Sequence, residues 1–287
     1  MPVEKLSDKV ILKSPKGATA EILHYGATII SWKTSGGLIS GGTEHLFVSS
    51  KAALDGSKPV RGGIPVVFPC FGPPEHPEHS KLAQHGFARN ETWTFDSVVM
   101  DNETGVSVRL LLKPSSAVKS IYSKDFELAY VVTLAENQLS TDLHVTNPST
   151  TDSLEFQALL HTYLRAPSKA VTISPLNGLT YINKVKGGAK EVEKREAVDV
   201  KQFTDSVYED APSKVSVIWP GGGVEVKMTE FKTLTVWNPQ AEAGSKIGDM
   251  EENGWEHFVC VEPGYVRGFK KLEPGSRWIG QQVLTLV

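Results

Sequence analysis

Cysteine is nearly absent: Cys70 and Cys260 are the two thiols in 287 residues. Both stand in apolar contexts, which predicts buried free thiols in a reducing cytoplasm and not a disulfide framework. No run approaches the roughly 18 apolar residues that a spanning helix needs, so no membrane partner is expected. The start, MPVEKLSDKVILKSP, has no apolar segment with a cleavage site behind it, so no signal peptide is expected. Excess charge is missing too. Thirty basic and 33 acidic residues leave a net charge of −3, which is no footprint for nucleic acid. Gly221 to Gly223 follow a strand pattern but lead into another strand, so they read as a turn and not a phosphate loop. No GxSxG elbow, HExxH helix or Cys/His quartet occurs. His76-x-x-His79, with His85 nearby, therefore reads as a solvated loop, and no metal is expected.

What the chain does have is punctuation and alternation. Gly 25 and Pro 17 favour many short elements over long helices. Phe126, Leu128, Tyr130, Val132 and Leu134 share one parity, and Leu139, Thr141, Leu143 and Val145 continue it after a turn. That spacing predicts a hairpin of two long strands. Val106 to Leu112, Leu154 to Leu160, Val215 to Trp219, Val224 to Met228, Leu234 to Trp237, His257 to Val261 and Trp278 to Val287 add further strands. Helical patterns are few: a turn or two over 44–54, with 184–193 a polar loop. Strands following strands predict an all-β, antiparallel stack of sheets forming one domain over 1–287.

The stretch RGGIPVVFPCFGPP, residues 61–74, fits neither element well. Its prolines exclude a helix and a central strand, yet it is too apolar for a solvated loop. It predicts a rigid crossing packed over the core, with Arg61 at its start. In the 154–160 strand, the parity opposite Phe156 and Ala158 carries Glu155, Gln157, Leu159, His161 and Tyr163, a mixed face suited to lining a cleft. His161 is then either a satisfied strand histidine or a proton-transfer group. Glu262, on the parity of Phe258 and Cys260 and just before Pro263-Gly264, is either a buried salt-bridge partner or a poised base. Gln84, His85 and Arg89 cluster in LAQHGFARNETW. The forks of Arg89 and Arg61 suit an acidic neighbour, a phosphate or sugar hydroxyls.

In order along the chain, RGGIPVVFPCFG, AQHGFAR, HTYLR, FTDSVY, VWNP and VEPGYV together resemble the hexose-6-phosphate mutarotases, a branch of the aldose 1-epimerase family. The resemblance spans about residues 20 to 282. It implies a large antiparallel β-sandwich of the galactose-mutarotase type and interconversion of the anomers of a sugar phosphate, chiefly glucose 6-phosphate. It carries His161 and Glu262 over as catalytic. It carries Arg61, Gln84, Arg89 and Asp205 over as substrate-binding, with His85 a less secure candidate. No cofactor is expected, because both anomers share one oxidation state. The implied partner is a small-molecule sugar phosphate, and a cytoplasmic monomer is expected. Three rivals stay open: an epimerase of unphosphorylated sugars, a glycoside hydrolase, which needs two opposed carboxylates, and a non-catalytic carbohydrate-binding protein.

Overall fold

The structure, a computed structural model, describes residues 1–35 and 42–287. Its strands form three sheets. A five-stranded sheet runs in sequence order through Val3–Lys5, Lys9–Lys13, Thr19–Leu23, Ile29–Thr34 and Thr43–Glu44. An eight-stranded sheet is ordered Thr172–Ser174, Lys214–Trp219, Gly222–Thr229, Arg277–Leu286, Gln138–Thr146, Glu127–Leu134, Gly105–Leu112, Thr94–Asn102. The third is ordered Ala189–Val192, Thr180–Asn183, Thr204–Tyr208, Thr233–Asn238, Phe258–Leu272, Leu154–Leu160, Val66–Val67, and Tyr163–Arg165 also pairs with Phe258–Leu272. Both large sheets pair antiparallel.

Alternation decides which face of each strand is buried. Val106, Val108, Leu128, Tyr130, Val132 and Leu143 meet Phe156, Ala158, Val236, Val259 and Val261 in one continuous core between the large sheets. Phe156 and Trp278 cross it edge to face, with centroids 5.5 Å apart. Burying each such side chain contributes about 1.5–3 kcal/mol. This is a β-sandwich, as the alternation implies.

The segment 61–74 is an edge, which is where proline is tolerated. Val66 and Val67 pair with Leu160 and Leu159. Ile64, Val66, Phe68 and Cys70 enter the main core, while Val67 packs on the outer face with Leu159, Val207 and Val266. The prolines lack N–H groups, but their carbonyls still work. Pro65 O accepts from the His161 N–H at 3.0 Å, and Pro69 O accepts from the Gln157 N–H at 2.8 Å. The segment buttresses the strand that carries His161.

Several expectations need correction. Residues 44–54 form no helix. Glu44 accepts from the Trp32 and Leu46 N–H groups, and Leu46 and Val48 bridge Leu164 and Gly62. Residues 184–193 are not simply loop. A 3-10 turn, Lys184–Lys186, precedes the strand Ala189–Val192, which pairs with Thr180–Asn183. The strand containing Glu262 does not stop at Pro263; it runs from Phe258 to Leu272. The N-terminal strands add to the expected set, with Val10, Leu12, Ala20 and Ile22 alternating into the core, as does Thr94–Asn102, which is largely exposed. Two short helices were also unforeseen, Ser116–Ile121, capped by the Ser115 hydroxyl, and Gln240–Gly244. Both thiols are free and buried.

Gly86 is the tightest point of the 84–89 turn. It has φ +68°, and a Cβ there would sit 2.2 Å from the Phe68 carbonyl oxygen. Gly178 has φ +80° with nothing within 4 Å of such a Cβ. The left-handed conformation alone costs a non-glycine residue about 1–2 kcal/mol. Gly86→Ala should therefore lose at least ~1 kcal/mol more than Gly178→Ala in denaturant unfolding. Equal losses would show that the close approach to Phe68 carries no constraint.

Candidate active site

The outer face of the third sheet carries two rows of side chains across neighbouring strands. Asp205 lies opposite Trp237, Trp237 opposite Cys260, and Cys260 opposite Tyr163. In the next row Val207 lies opposite Thr235, and Thr235 opposite Glu262. His161, two residues before Tyr163, completes that row. Its Nδ1 is 3.3 Å from Glu262 Oε1. The parity of Phe258, Cys260 and Glu262 is thus this outer face and not that of the main core, which takes Val259 and Val261.

His161 sits where one strand ends and another begins. The Leu154–Leu160 strand stops, Tyr163–Arg165 resumes the pairing, and Thr162 anchors the break. Thr162 Oγ1 donates to Gln282 Oε1 at 2.7 Å, and the Val261 N–H donates to Thr162 O at 3.1 Å. Pro263 lies in the partner strand at this interruption, where a ladder donor is not needed. His161 stacks on Tyr163 with centroids 4.8 Å apart and meets Trp237 edge-on at 6.0 Å.

The pair is buried and without hydrogen-bond partners. Glu262 is 1% exposed and the His161 side chain 13%. Among the described residues, neither Glu262 oxygen has a hydrogen-bond partner, and at 3.3 Å the His161 Nδ1 contact does not meet hydrogen-bond geometry. Burial, with the Asp205 carboxylate adding to it, raises Glu262 well above the usual carboxylate range. Burial also lowers His161 well below the ordinary histidine value, assisted by His85, Arg89 and Arg61. Each partner is pushed toward its neutral form. A neutral imidazole beside a protonated carboxyl holds the same number of protons as an imidazolium beside a carboxylate. Either way, the pair carries one mobile proton.

The other sequence candidates gather around this pair. His85 has φ +67°, an uncommon conformation for a residue with a side chain. Its Nδ1 accepts the Gly72 N–H at 3.2 Å. Burial lowers its pKa to about 3, so the ring is neutral and its proton lies on Nε2. His85 therefore offers one N–H donor beside His161, whose ring centroid is 5.9 Å away. Gln84 is exposed, with its amide 3.3 Å from that Nε2. Asp205, raised by burial, has Lys184 Nζ 3.9 Å away.

The two arginines differ. Arg61 Nε binds Asp249 Oδ1 at 2.9 Å, and its Nη1 lies 3.4 Å from the Tyr163 hydroxyl. Arg89 donates from Nη2 to the Gln84 carbonyl at 2.9 Å and leaves a buried Nε without a partner. Among the described residues, no carboxylate lies within 4.0 Å of Arg89. Burial lowers its pKa, but a guanidinium stays charged at neutral pH, so it is a cation without a counterion.

Sequence reasoning missed Lys184, Asp249 and Trp237 as neighbours of the site. Lys184 was read as part of a polar loop, yet its ammonium lies 4.6 Å from the Phe71 ring centroid. Asp249 pairs across 188 positions, which no local pattern signals. Trp237 was recognised only as a strand residue. The His76–His79 segment is not a solvated loop: it holds a 3-10 turn, Pro77–His79, with His79 buried against Tyr122 and Phe269 and His76 Nε2 3.3 Å from Glu155. Among the described residues, His161, Cys260 and Glu262 are the one trio whose metal-ligating atoms lie within 4.8 Å of one another.

Comparison with known proteins agrees with this architecture. The family model described as aldose 1-epimerase matches residues 8–285. A "Putative glucose-6-phosphate 1-epimerase" of Cenchrus ciliaris is 31% identical, covering 98% of this chain and 85% of its own length. The solved "putative mutarotase (YeaD)" of Salmonella typhimurium superposes with a TM-score of 0.87 at 23% identity, covering 99% of this chain and 92% of its own. A "galactose mutarotase related enzyme" from Lactobacillus acidophilus gives 0.76 at 18% identity, with 97% of each chain covered. The sandwich is thus of the galactose-mutarotase type. With its family match running almost end to end, the chain belongs to the aldose 1-epimerase family and is an isomerase of the mutarotase class.

Proposed function

We propose that this protein interconverts the α and β anomers of hexose 6-phosphates, chiefly glucose 6-phosphate. The observation that carries the reading is the buried, unpartnered His161–Glu262 pair, 3.3 Å apart and flanked by basic side chains. The printed name of the Cenchrus ciliaris relative supports the substrate class.

Anomerisation moves two protons and rotates one bond. In ring opening, the Glu262 carboxylate takes the proton of the C1 hydroxyl while the His161 imidazolium gives one to the ring oxygen. The pair then holds protonated Glu262 and neutral His161. After rotation about C1–C2, His161 takes the proton from the C5 hydroxyl and Glu262 returns one to O1, closing the ring on the other face. The two groups exchange acid and base roles, as reversibility requires. Burial favours the neutral tautomer in the free site. Sugar hydroxyls that donate to the empty oxygens of Glu262 favour the ionised one, and the nearby Lys184 charge acts in the same direction. Asp205, Gln84 and the Nε2–H of His85 supply contacts for sugar hydroxyls.

The 6-phosphate is assigned to Arg89, with Arg61 beside it. Arg89 holds its charge without a counterion, whereas Asp249 already offsets Arg61. An epimerase of free sugars has less need of an unneutralised guanidinium at the site.

Anomer-exchange NMR on glucose 6-phosphate beside free glucose tests the function directly. Exchange of the phosphorylated sugar should far exceed the spontaneous rate, and a preference for free glucose would contradict the reading. His161→Ala and Glu262→Gln should each cut exchange by ~10² or more. Glu262→Gln should keep or raise the melting temperature, because no hydrogen-bond partner is lost. Near wild-type exchange in either variant would remove that residue from the mechanism.

The pH profile of kcat/KM, after subtracting spontaneous mutarotation, should be bell-shaped. As pH falls through the lowered His161 value, the pair takes up a second proton and no base remains. As pH rises through the raised Glu262 value, it loses the last proton and no acid remains. The acid limb therefore lies below the ordinary histidine value of about 6.5 and the alkaline limb above the ordinary carboxylate value of about 4.3. A flat profile would refute proton exchange through this pair.

For phosphate recognition, losing one charged partner costs ~1.5–3 kcal/mol, or roughly ten- to a hundred-fold in binding. Arg89→Ala should raise KM for glucose 6-phosphate by that factor and change turnover of free glucose little. Arg61→Ala also strips Asp249 of its partner, so it should impair both substrates and lower the melting temperature. Equal loss on both sugars in Arg89→Ala would withdraw the phosphate assignment.

A further inference from the structure

Cys260 takes no part in the proton transfers described above, yet it shares their site. Its thiol is fully buried on the row between Trp237 and Tyr163. The ligating atoms of His161, Cys260 and Glu262 all lie within 4.8 Å of one another. Two of the three ligands already stand at the spacing a small tetrahedral ion requires. Zinc bonds to nitrogen, oxygen and sulfur run about 2.0–2.3 Å, so tetrahedral ligand pairs are roughly 3.3–3.8 Å apart. His161 Nδ1 and Glu262 Oε1 are separated by 3.3 Å. The sulfur lies within 4.8 Å of both, about an ångström beyond tetrahedral ligand spacing.

The donor atoms are also available. His161 Nδ1 and both Glu262 oxygens are buried without hydrogen-bond partners. A bound ion would satisfy atoms that are otherwise stranded, and stranding such atoms is itself costly.

We propose that His161, Cys260 and Glu262 form an inhibitory site for a thiophilic divalent cation, zinc foremost. Binding breaks the S–H bond of Cys260 and the O–H bond of Glu262 and releases both protons to solvent. The dication, thiolate, carboxylate and neutral imidazole together carry no net charge, which suits a buried site. Arg61, Arg89 and Lys184 stand nearby and oppose a cation; Asp249 offsets Arg61 and the Asp205 carboxylate offsets Lys184, which leaves Arg89 as the opposing charge. Three protein ligands leave a fourth tetrahedral position for water.

Occupancy removes both groups that move protons, so the loaded enzyme is inactive. That consequence rests on the catalytic reading of His161 and Glu262, whereas metal binding rests on the geometry alone. Cys260→Ser and Cys260→Ala should retain basal anomerisation, because the thiol touches no step of the reaction.

Two readouts keep these claims separate. Cadmium added to the metal-free wild-type protein should give the ultraviolet thiolate-to-metal absorption band, and both Cys260 variants should lack it. Cys70→Ser serves as the control and should keep the band, since Cys70 lies outside the trio. In parallel, zinc should reduce wild-type exchange of glucose 6-phosphate by about tenfold or more. A chelator should restore it, and the Cys260 variants should resist inhibition. No cadmium band in the wild type, or a band that survives Cys260→Ala, overturns the site. A Cys260-dependent band with undiminished activity overturns the inhibition and counts against catalysis by His161 and Glu262. Equal zinc inhibition of wild type and Cys260→Ala places the metal elsewhere and also overturns the proposal.

Discussion

Everything about this site turns on one carboxyl group buried without hydrogen-bond partners. The chain offers its own control in a second buried glutamate. Glu193 is 4% exposed, but it accepts from Arg195 Nε and Nη2, from the Lys194 and Arg195 N–H groups and from the Tyr208 hydroxyl. Burial alone would raise Glu193, yet those donors hold it down to about 2. Glu262 has burial without the donors and moves the opposite way. A structural glutamate is satisfied by the fold. Glu262 is left unsatisfied by the fold, as the proposed role in proton transfer requires.

The rest of the sandwich keeps that arrangement in register. Because neighbouring strands pair antiparallel and side chains alternate, the face that carries Val259 and Val261 into the core must present Cys260 and Glu262 outward. The break at Thr162, fixed by Gln282 from the opposite sheet, turns His161 toward Glu262. The edge strand Val66–Val67 and the Pro65 carbonyl hold the other side of that break. A one-residue slip would send Glu262 into the apolar core. Aromatic rings complete the setting, with Tyr163 and Trp237 packing against the imidazole.

Much of this was legible in the sequence, because period-2 alternation reports faces directly. It separated Phe156 and Ala158 from His161, and the ordered motifs brought Arg61, Arg89 and Asp205 to the same site. Alternation fails where the physics is non-local. Pro263 looked like a strand end, since proline removes a ladder donor, but the partner strand is itself interrupted there. An acidic neighbour was open for Arg61, but its identity was not legible because Asp249 is 188 residues away. Lys184 reached the cleft through a 3-10 turn that its polar surroundings disguised as loop. The left-handed His85 could not be foreseen either. Its backbone N–H donates to Gly72 O at 2.9 Å, next to the tight passage of Gly86 beside Phe68.

The central claim is that the free site holds its mobile proton on Glu262, with His161 neutral. Nitrogen-15 NMR of the His161 ring in the ligand-free protein, at a pH of about 6, measures this directly, because an unperturbed imidazole would be mostly protonated there. The account predicts a neutral ring, with one protonated and one bare nitrogen giving well-separated shifts. Two similar, protonated nitrogens at that pH would mean that His161 and Glu262 rest as an ion pair, and would contradict it.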